Sequence, residues 1–418
     1  MPDDGQPLVL VCHDPTRYIT GQGSYVMAHA LAARRAGFTP HIFCAAERSE
    51  VVATEFGAIH RVGTRARHFL VAPVYQRPIA TGIAAYLSSC AQSAPFVVHG
   101  FGTFAACAAS AAAMLDRRGV EAVPLLSAYT AVGHEWRGLL RWLWSDRAAA
   151  PAAFYAAWYP WVRTVLAGAE RWGYRRAELV LVNYECVARL LREAYGSGPE
   201  IRRIPYSPAT AFDSSADGTG SAPPPLPVPV AELEPREAPL IISVSRHQPG
   251  KGVDVLLRAL ASLRAAGVAF RACLTGPGRL LAAHRRLASG LGLAGSVAIP
   301  GYVDDVVPYL RHADVFVLPS LEEGSGSVAL LEALQVGTAV VASSCDGIPE
   351  DIADGRDGLL VPPGDVGSLC HALRSLLTDP ARRATLALGA RRTYERRFSP
   401  EVFSDALGGI YAELGVRA

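Results

Sequence analysis

Short, unbroken apolar runs recur along the chain, with helically spaced stretches between them. "LVLVC" (8–12), "PHIFC" (40–44), "FVVH" (96–99), "PLLSAY" (124–129) and "LVLVNY" (179–184) read as buried strands. So do "LIISVS" (240–245), "FRACLTG" (270–276), "SVAI" (296–299), "DVFVLPS" (314–320), "TAVVAS" (338–343) and "GLLVP" (358–362). A strand covered on both faces needs a continuous apolar run, not alternation, so the pattern predicts parallel sheets flanked by helices. The rhythm breaks once. Residues 211–239, "AFDSSADGTGSAPPPLPVPVAELEPREAP", are too rich in Pro, Ser, Gly and Asp to bury a core and read as a linker. The expected organisation is a first α/β domain over 1–210, the linker over 211–239, a second α/β domain over 240–395, and a helix over 396–418 able to cross back to the first. Two doubly wound sheets of this kind are expected to face a cleft, because open parallel sheets take ligands beyond the carboxyl ends of their strands.

Bulk composition narrows the class. A chain of 418 residues suits two domains, and 50% hydrophobic with 19% charged residues marks it as globular. A net charge of +2 gives no case for a nucleic-acid partner. The eight cysteines form no C-x-x-C pair, which fits a reducing compartment, and the acidic start "MPDDGQP" lacks the basic region of a signal peptide. A cytoplasmic location is therefore expected. Between Arg77 and Asp116 no residue is charged, but Gln92, Pro95 and His99 interrupt the stretch, so it reads as helix, strand and helix and not as a membrane span.

Two stretches bring chemistry. In "SVSRHQPGKGVDVLLRAL" (243–260) a buried strand ends, a loop carries Arg246 and Lys251, and a helix begins near Gly252. An anion there would meet a guanidinium, an ammonium and free helix amides; the plainer reading is two solvated cations. In "SLEEGSGSVALLEAL" (320–334) Glu322, Glu323 and Gly324 turn from strand to helix, and Ser325, Gly326 and Ser327 fall where helix amides lack internal partners. A capped helix accounts for the serines. It does not account for carboxylates beside an anion site. A nucleotide-sugar does: amides take phosphate and carboxylates take hydroxyls.

In order and spacing, "SRHQPGKG", "LTGPG", "GYVDDVVPYLRHADVFVLPS", "EEGSGSVALLEALQVGTAVVASSCDGIPEDI" and "DGRDGLLVPPGD" resemble the nucleotide-sugar domain of retaining GT-B glycosyltransferases, specifically glycosyltransferase family 4. The match spans most of 240–366. In the first half, "TGQGSYVMAHALAARRAGFTPHIF" is similar to the family's glycine-rich first loop and helix. The resemblance implies two Rossmann-like domains and transfer of a sugar from a nucleotide-diphosphate donor, UDP ahead of GDP. It implies Arg246 and Lys251 on the diphosphate, the backbone of Ser325, Gly326 and Ser327 on the phosphates, and Gly21 and Gly23 near the reacting centre. Glu332 matches the second glutamate of the E-x7-E signature, on the ribose. Glu323 would be the first, on the sugar, although its spacing to Glu332 is E-x8-E. Asp346 and Glu350 fall near the donor site, where a helix N-cap explains them equally well. A histidine contacts the donor sugar in many relatives; His99, ending a strand, and His134, in the loop after another, are the candidates, with His134 preferred. Front-face attack, the leaving phosphate taking the acceptor's proton, would need no enzyme nucleophile. The variant "EGSGSVALLEA" looks most like members that build aminoglycoside-type natural products, so a small polar, cationic acceptor is expected. No D-x-D occurs, and neither a metal nor a further cofactor is expected.

All six tryptophans (Trp136, Trp142, Trp144, Trp158, Trp161, Trp172) lie between Glu135 and Trp172 with arginines among them. Three readings stay open: an aromatic core, an interfacial helix pair at a membrane, and an acceptor pocket. Rival functions are a transferase acting on a lipid or thiol acceptor, an NAD(P)-linked oxidoreductase, for which "GQGSYV" lacks the third glycine, and a non-catalytic nucleotide-sugar-binding protein.

Overall fold

A computed structural model of the chain describes residues 5–16, 21–64, 72–90, 95–145, 149–209 and 225–416. It contains two compact units, residues 1–209 with 400–418, and residues 210–399. The first half of the expected linker, 211–224, lies outside the described residues.

The first unit holds strands β1 (Pro7–Val11), β2 (Thr39–Ala46), β3 (Glu50–Thr54), β4 (Gly57–Gly63), β5 (Phe96–Phe101), β6 (Ala122–Ser127), β7 (Leu179–Val182) and β8 (Glu200–Arg203). Its helices are α1 (Gly21–Arg35), α2 (Ala72–Ser89), α3 (Ala105–Asp116), α4 (Val132–Ser145), α5 (Ala149–Trp161), α6 (Ala167–Tyr174) and α7 (Glu185–Tyr195). The second unit holds α8 (Val228–Ala231), β9 (Leu240–Val244), α9 (Val253–Ala265), β10 (Arg271–Thr275), α10 (Leu281–Gly290), β11 (Val297–Gly301), α11 (Val307–Arg311), β12 (Val315–Leu318), α12 (Val328–Val336), β13 (Ala339–Ser343), α13 (Ile348–Asp351), β14 (Leu359–Val361), α14 (Val366–Leu377) and α15 (Pro380–Arg397). The last helix, α16 (Pro400–Glu413), belongs to the first unit.

The first sheet runs β3-β4-β2-β1-β5-β6-β7-β8 and is parallel except for the β3–β4 hairpin. The second runs β11-β10-β9-β12-β13-β14 and is parallel throughout. Every apolar run quoted above falls on a strand, and the central ones are fully buried, as Leu8 to Val11 and Leu240 to Ile242 show. The sequence pattern missed β3, β4 and β8. These lie at or next to sheet edges, where one face meets water and no continuous apolar run is needed.

The tryptophan segment divides. Trp136 is 4% exposed, and its indole N–H donates to the Tyr155 carbonyl at 2.9 Å. It packs with Val132, Val162 and Leu166 on the core beneath α2 and α3. Trp161 and Trp172 face outward at 39% and 38% exposure. The core reading therefore holds for Trp136 and not for the whole segment. The side chains of Trp142 and Trp144 lie outside the described residues.

One buried carboxylate ties these helices. Glu170 on α6 accepts the backbone N–H of Val132, at the start of α4, at 2.9 Å, and the Tyr195 hydroxyl donates to the same oxygen. Burial pushes the Glu170 carboxyl up from 4.5 to about 7, against the lowering effect of both donors. Because the folded value is the higher one, this group's stabilisation is complete below pH 4.5 and is lost as pH rises through 7. The gap corresponds to at most ~3 kcal/mol. Glu170→Gln keeps an acceptor for Val132 without the charge. Melting temperatures of the variant and wild type should agree near pH 4.5 and separate by pH 8 in the variant's favour; a pH-independent difference would contradict this assignment.

Candidate functional site

The order of the second sheet reverses between β9 and β12: β10 and β11 lie on one side of β9, β12 to β14 on the other. Loops leaving adjacent strands at such a reversal diverge and leave a crevice at their carboxyl ends. The loops in question are 245–252 after β9 and 319–327 after β12. They carry Arg246, Lys251, Glu323, Ser325, Gly326 and Ser327, so the topology brings the predicted charge cluster of this unit to one place.

Missing side chains let these loops close on one another. Gly252 has φ +60° and caps α9; a Cβ there would meet the Pro319 carbonyl oxygen at 2.0 Å. Gly276 and Gly278, of "LTGPG", have φ +129° and +157°, and their Cβ atoms would meet the carbonyl oxygens of Ser245 at 2.1 Å and His247 at 2.3 Å. Hydrogen bonds lock the same contacts. The Ser245 N–H donates to Thr275 O at 3.0 Å and the His247 N–H to Pro277 O at 2.8 Å. Gly250 O accepts the N–H groups of Leu321 and Glu322 at 2.9 and 3.1 Å. Beneath the loop, the His247 and His284 rings meet Nδ1 to Nδ1 at 2.8 Å, and burial next to His284 lowers His247 to about 4.

The charges are arranged on this platform. Arg246 is exposed. Lys251 Nζ lies 2.8 Å from Glu323 Oε1, with the two side chains 18% and 5% exposed, and the Ser320 hydroxyl donates to the same carboxylate oxygen. Asp346 Oδ2 accepts the N–H groups of Glu323 at 2.7 Å and Gly324 at 2.8 Å. Asp346 adopts φ +47° to do so and does not cap α13, whose start has no side-chain cap. The N-cap explanation of Asp346 is thus corrected: its carboxylate clasps the β12 turn. Ser327 caps α12, accepting the Leu330 N–H at 3.4 Å. Among the described residues no acceptor meets the amides of Ser325, Gly326 and Ser327. Glu332, 8% exposed, lies one turn into α12. The ensemble offers an exposed guanidinium, a held ammonium and three open amides, an arrangement suited to an anion with hydroxyl groups attached.

Other predicted residues lie in the first unit. Gly21 and Gly23 are the first and third residues of α1, not of a loop, and 17–20 lie outside the described residues. His134 is exposed in the first turn of α4, one step past the loop assigned to it. His99 lies wholly buried inside β5, 2.8 Å from Ser127 Oγ and 3.4 Å from the Tyr411 hydroxyl of α16. Burial holds its pKa well below the ordinary value, so it acts as a neutral core residue. Among the described residues, no group of three or more His, Cys, Asp or Glu is placed to hold a metal ion. Sequence reasoning did not find Ser320, which approaches Glu323 only because the turn folds back on β12. Nor did it find the His247–His284 pair, whose members lie on different elements.

A family model described as "Glycosyl transferases group 1" matches residues 238–379. The D-inositol 3-phosphate glycosyltransferase of Saccharomonospora viridis is 32% identical over 309 residues, 67% of this chain and 69% of that protein. The lipopolysaccharide core biosynthesis glycosyltransferase LpsE of Rhizobium meliloti is 34% identical over 56% of this chain and 64% of that one. The alpha-D-kanosaminyltransferase of Streptomyces kanamyceticus is 28% identical over 59% and 64%. The chain thus spans about two thirds of the length of these relatives. In fold it is similar to sucrose-phosphate synthase of Thermosynechococcus elongatus, with TM-score 0.72, 20% identity and coverage of 98% and 99%. The Anabaena protein HepE, solved with UDP, gives TM-score 0.68, 15% identity and coverage of 98% and 100%.

The glycine contacts make a graded prediction. Gly276→Ala forces a methyl onto the Ser245 carbonyl and should cost on the order of 3 kcal/mol or more. Gly267→Ala also sits at positive φ, +72°, but meets nothing within 4 Å and should cost about 1 kcal/mol. Urea titration of both variants checks the ranking; equal losses would show that the close approach is not a constraint.

Proposed function

This chain belongs to the glycosyl transferases group 1 family, and from that premise we propose that it moves a sugar from a nucleoside-diphosphate donor to a small polyhydroxylated acceptor with retained anomeric configuration. The observation that carries the reading is the run of open amides at Ser325–Ser327 beside Arg246 and Lys251, at the reversal of a parallel sheet. A diphosphate there gains the Arg246 guanidinium, the Lys251 ammonium held by Glu323 and several N–H donors, and the same groups stabilise it as the leaving group when the glycosidic bond to the donor breaks. The acceptor oxygen then bonds to the anomeric carbon on the face the diphosphate leaves, and the departing phosphate oxygen takes its proton. No enzyme nucleophile enters this scheme. With no D-x-D in the sequence, positive charge from Arg246, Lys251 and the amides stands where a metal would serve. Lys251 is oriented in advance by Glu323, and Glu332 reads the ribose. The roles the resemblance gives His134, Gly21 and Gly23 belong to the same proposal.

Similarity to a D-inositol 3-phosphate glycosyltransferase supports a ring polyol as acceptor. Similarity to an alpha-D-kanosaminyltransferase supports an aminoglycoside-like product. A second reading, a lipid-carried acceptor, is favoured by the outward-facing aromatic residues of α5 and α6 and by the lipopolysaccharide-pathway relative. Thermal-shift measurement against UDP, GDP and dTDP selects the base, since a ligand at a hundred times its Kd stabilises by about 2.7 kcal/mol. Turnover of labelled donor separates an enzyme from a binding protein.

Arg246→Ala and Lys251→Ala should each lower turnover on the order of 10²–10³-fold, the cost of removing a charge-assisted contact that strengthens in the transition state. Near wild-type rates in either variant would remove that residue from the diphosphate site.

Glu332→Gln should weaken binding of the free nucleoside diphosphate, measured by calorimetry. Glu323→Gln removes the partner that orients Lys251, so it should impair transfer strongly and weaken nucleotide binding less than Glu332→Gln does. Identical losses in both assays for both variants would overturn the division between ribose and sugar.

A further inference from the structure

Arg246 stands between two residues whose backbone is fixed. On one side the Ser245 N–H donates to Thr275 O at 3.0 Å, and on the other the His247 N–H donates to Pro277 O at 2.8 Å. The Arg246 carbonyl accepts the Gln248 N–H at 2.8 Å, which closes a three-residue turn with His247 in the middle. The backbone angles of His247 therefore set the direction in which the chain leaves Arg246. Beneath the turn the His247 ring is buried and meets the buried His284 ring of α10, Nδ1 to Nδ1 at 2.8 Å. Two backbone bonds close this contact into a ring: the Leu280 N–H donates to His247 O at 3.0 Å, and the His284 N–H donates to Leu280 O at 2.8 Å. The turn that carries Arg246 is thus clamped to α10 by backbone on one side and by an imidazole pair on the other.

The pair is polar where the fold alone needs only bulk. Burial holds both imidazoles below their ordinary range, His247 at about 4, so at neutral pH each carries one ring proton. Two bare nitrogens, or two N–H groups, cannot face each other at 2.8 Å; one ring donates and the other accepts. An apolar pair at this place could slide with little penalty, whereas a hydrogen bond fixes both distance and direction. Without the His284 ring, His247 Nδ1 is left buried and unpaired, a penalty that falls if the turn moves and lets the ring reach water. That movement takes Arg246 with it, because Arg246 is the next residue along the chain.

We infer that His284 is a positioning residue for sugar transfer: through its hydrogen bond to His247 it holds the turn that aims Arg246 at the donor diphosphate. The inference rests on the diphosphate reading of Arg246. Its test is calorimetric titration of the full chain at pH 7 with UDP, GDP and dTDP. The tightest of the three is then titrated into Arg246→Ala, His284→Leu and the double variant. His284→Leu should weaken binding about tenfold. In the Arg246→Ala background the same substitution should change Kd less than about twofold, because the side chain it positions is already gone. His284→Asn places an amide donor or acceptor close to where the ring Nδ1 stands, and should bind within about twofold of wild type. His284→Gln carries its amide one bond further out, misplaces the hydrogen bond and runs the same cycle if the leucine variant does not fold. Losses that multiply in the double variant overturn the inference, since His284 would then reach the site by another route. Wild-type affinity in His284→Leu with a lowered melting temperature also overturns it, as the result of a pair that only fills the core. So does His284→Asn binding as weakly as the leucine variant, which would remove the hydrogen bond from the argument. Arg246→Ala that binds every nucleotide as wild type does brings down the diphosphate reading and this inference together; failure confined to the His284 variants leaves that reading standing.

Discussion

The candidate site depends on backbone lying directly against backbone at the carboxyl end of the second sheet. Gly252 abuts the end of β12, and Gly276 and Gly278 abut the loop after β9, at separations no side chain could enter. Three strand ends are thereby fastened into one platform, and the hydrogen bonds from Leu321 and Glu322 to Gly250 O stitch the β12 turn to it. Side chains on flexible loops would reach an anion only after losing entropy on binding; these start from a scaffold already fixed. The glycines are thus as much a part of the site as the charged residues they hold in place.

On this platform the electrostatics need explanation, because two carboxylates border a place proposed for an anion. The geometry resolves it. Glu323 is spent on Lys251 and Ser320, and forms with the lysine a pair of no net charge. Asp346 is spent on the amides of Glu323 and Gly324. The turn therefore divides its N–H groups: the first two close on an internal carboxylate, and the next three stay open. Asp346 is the one non-glycine residue at positive φ among those described, a conformation that aspartate tolerates better than most but still at a cost of about 1 kcal/mol. Two charge-assisted hydrogen bonds offset that cost. Their effect is to set the direction in which the Glu323 side chain leaves the turn, and so to hold it on Lys251.

Much of this could be read in the sequence, and the limits have physical causes. Strands buried on both faces announce themselves as apolar runs, so the central strands of both sheets were legible. Strands β3, β4 and β8 were not, since an edge strand alternates or is polar. The cluster Arg246, Lys251, Glu323 and Ser325–Ser327 was legible because parallel strands deliver their following loops to the same end of the sheet. Pairing within the cluster was not. Whether Lys251 meets a ligand or Glu323 depends on side-chain direction, and whether Asp346 caps its own helix or clasps a turn 22 residues earlier depends on the backbone between β13 and α13. Nor could spacing show that His134 begins a helix: its "AVGHEW" context carries no strong N-cap residue, because the cap comes from Glu170, 38 residues later.

That distant cap links the two unusual parts of the first unit. Glu170 belongs to α6, which carries Trp172 on its outer face, and it holds the N–H of Val132, two residues before His134. A carboxylate buried between a backbone amide and a tyrosine hydroxyl has little room to follow either partner alone, since a lost hydrogen bond there would leave a buried polar group without a partner. Displacement of α6 must therefore move the first turn of α4 or break the contact. Trp136 adds a second tie between the same helices through its hydrogen bond to the Tyr155 carbonyl of α5. The tryptophan-rich segment works as one rigid body: buried aromatic and carboxylate contacts bind its helices together on the inside, and exposed indoles and arginines project from the outside.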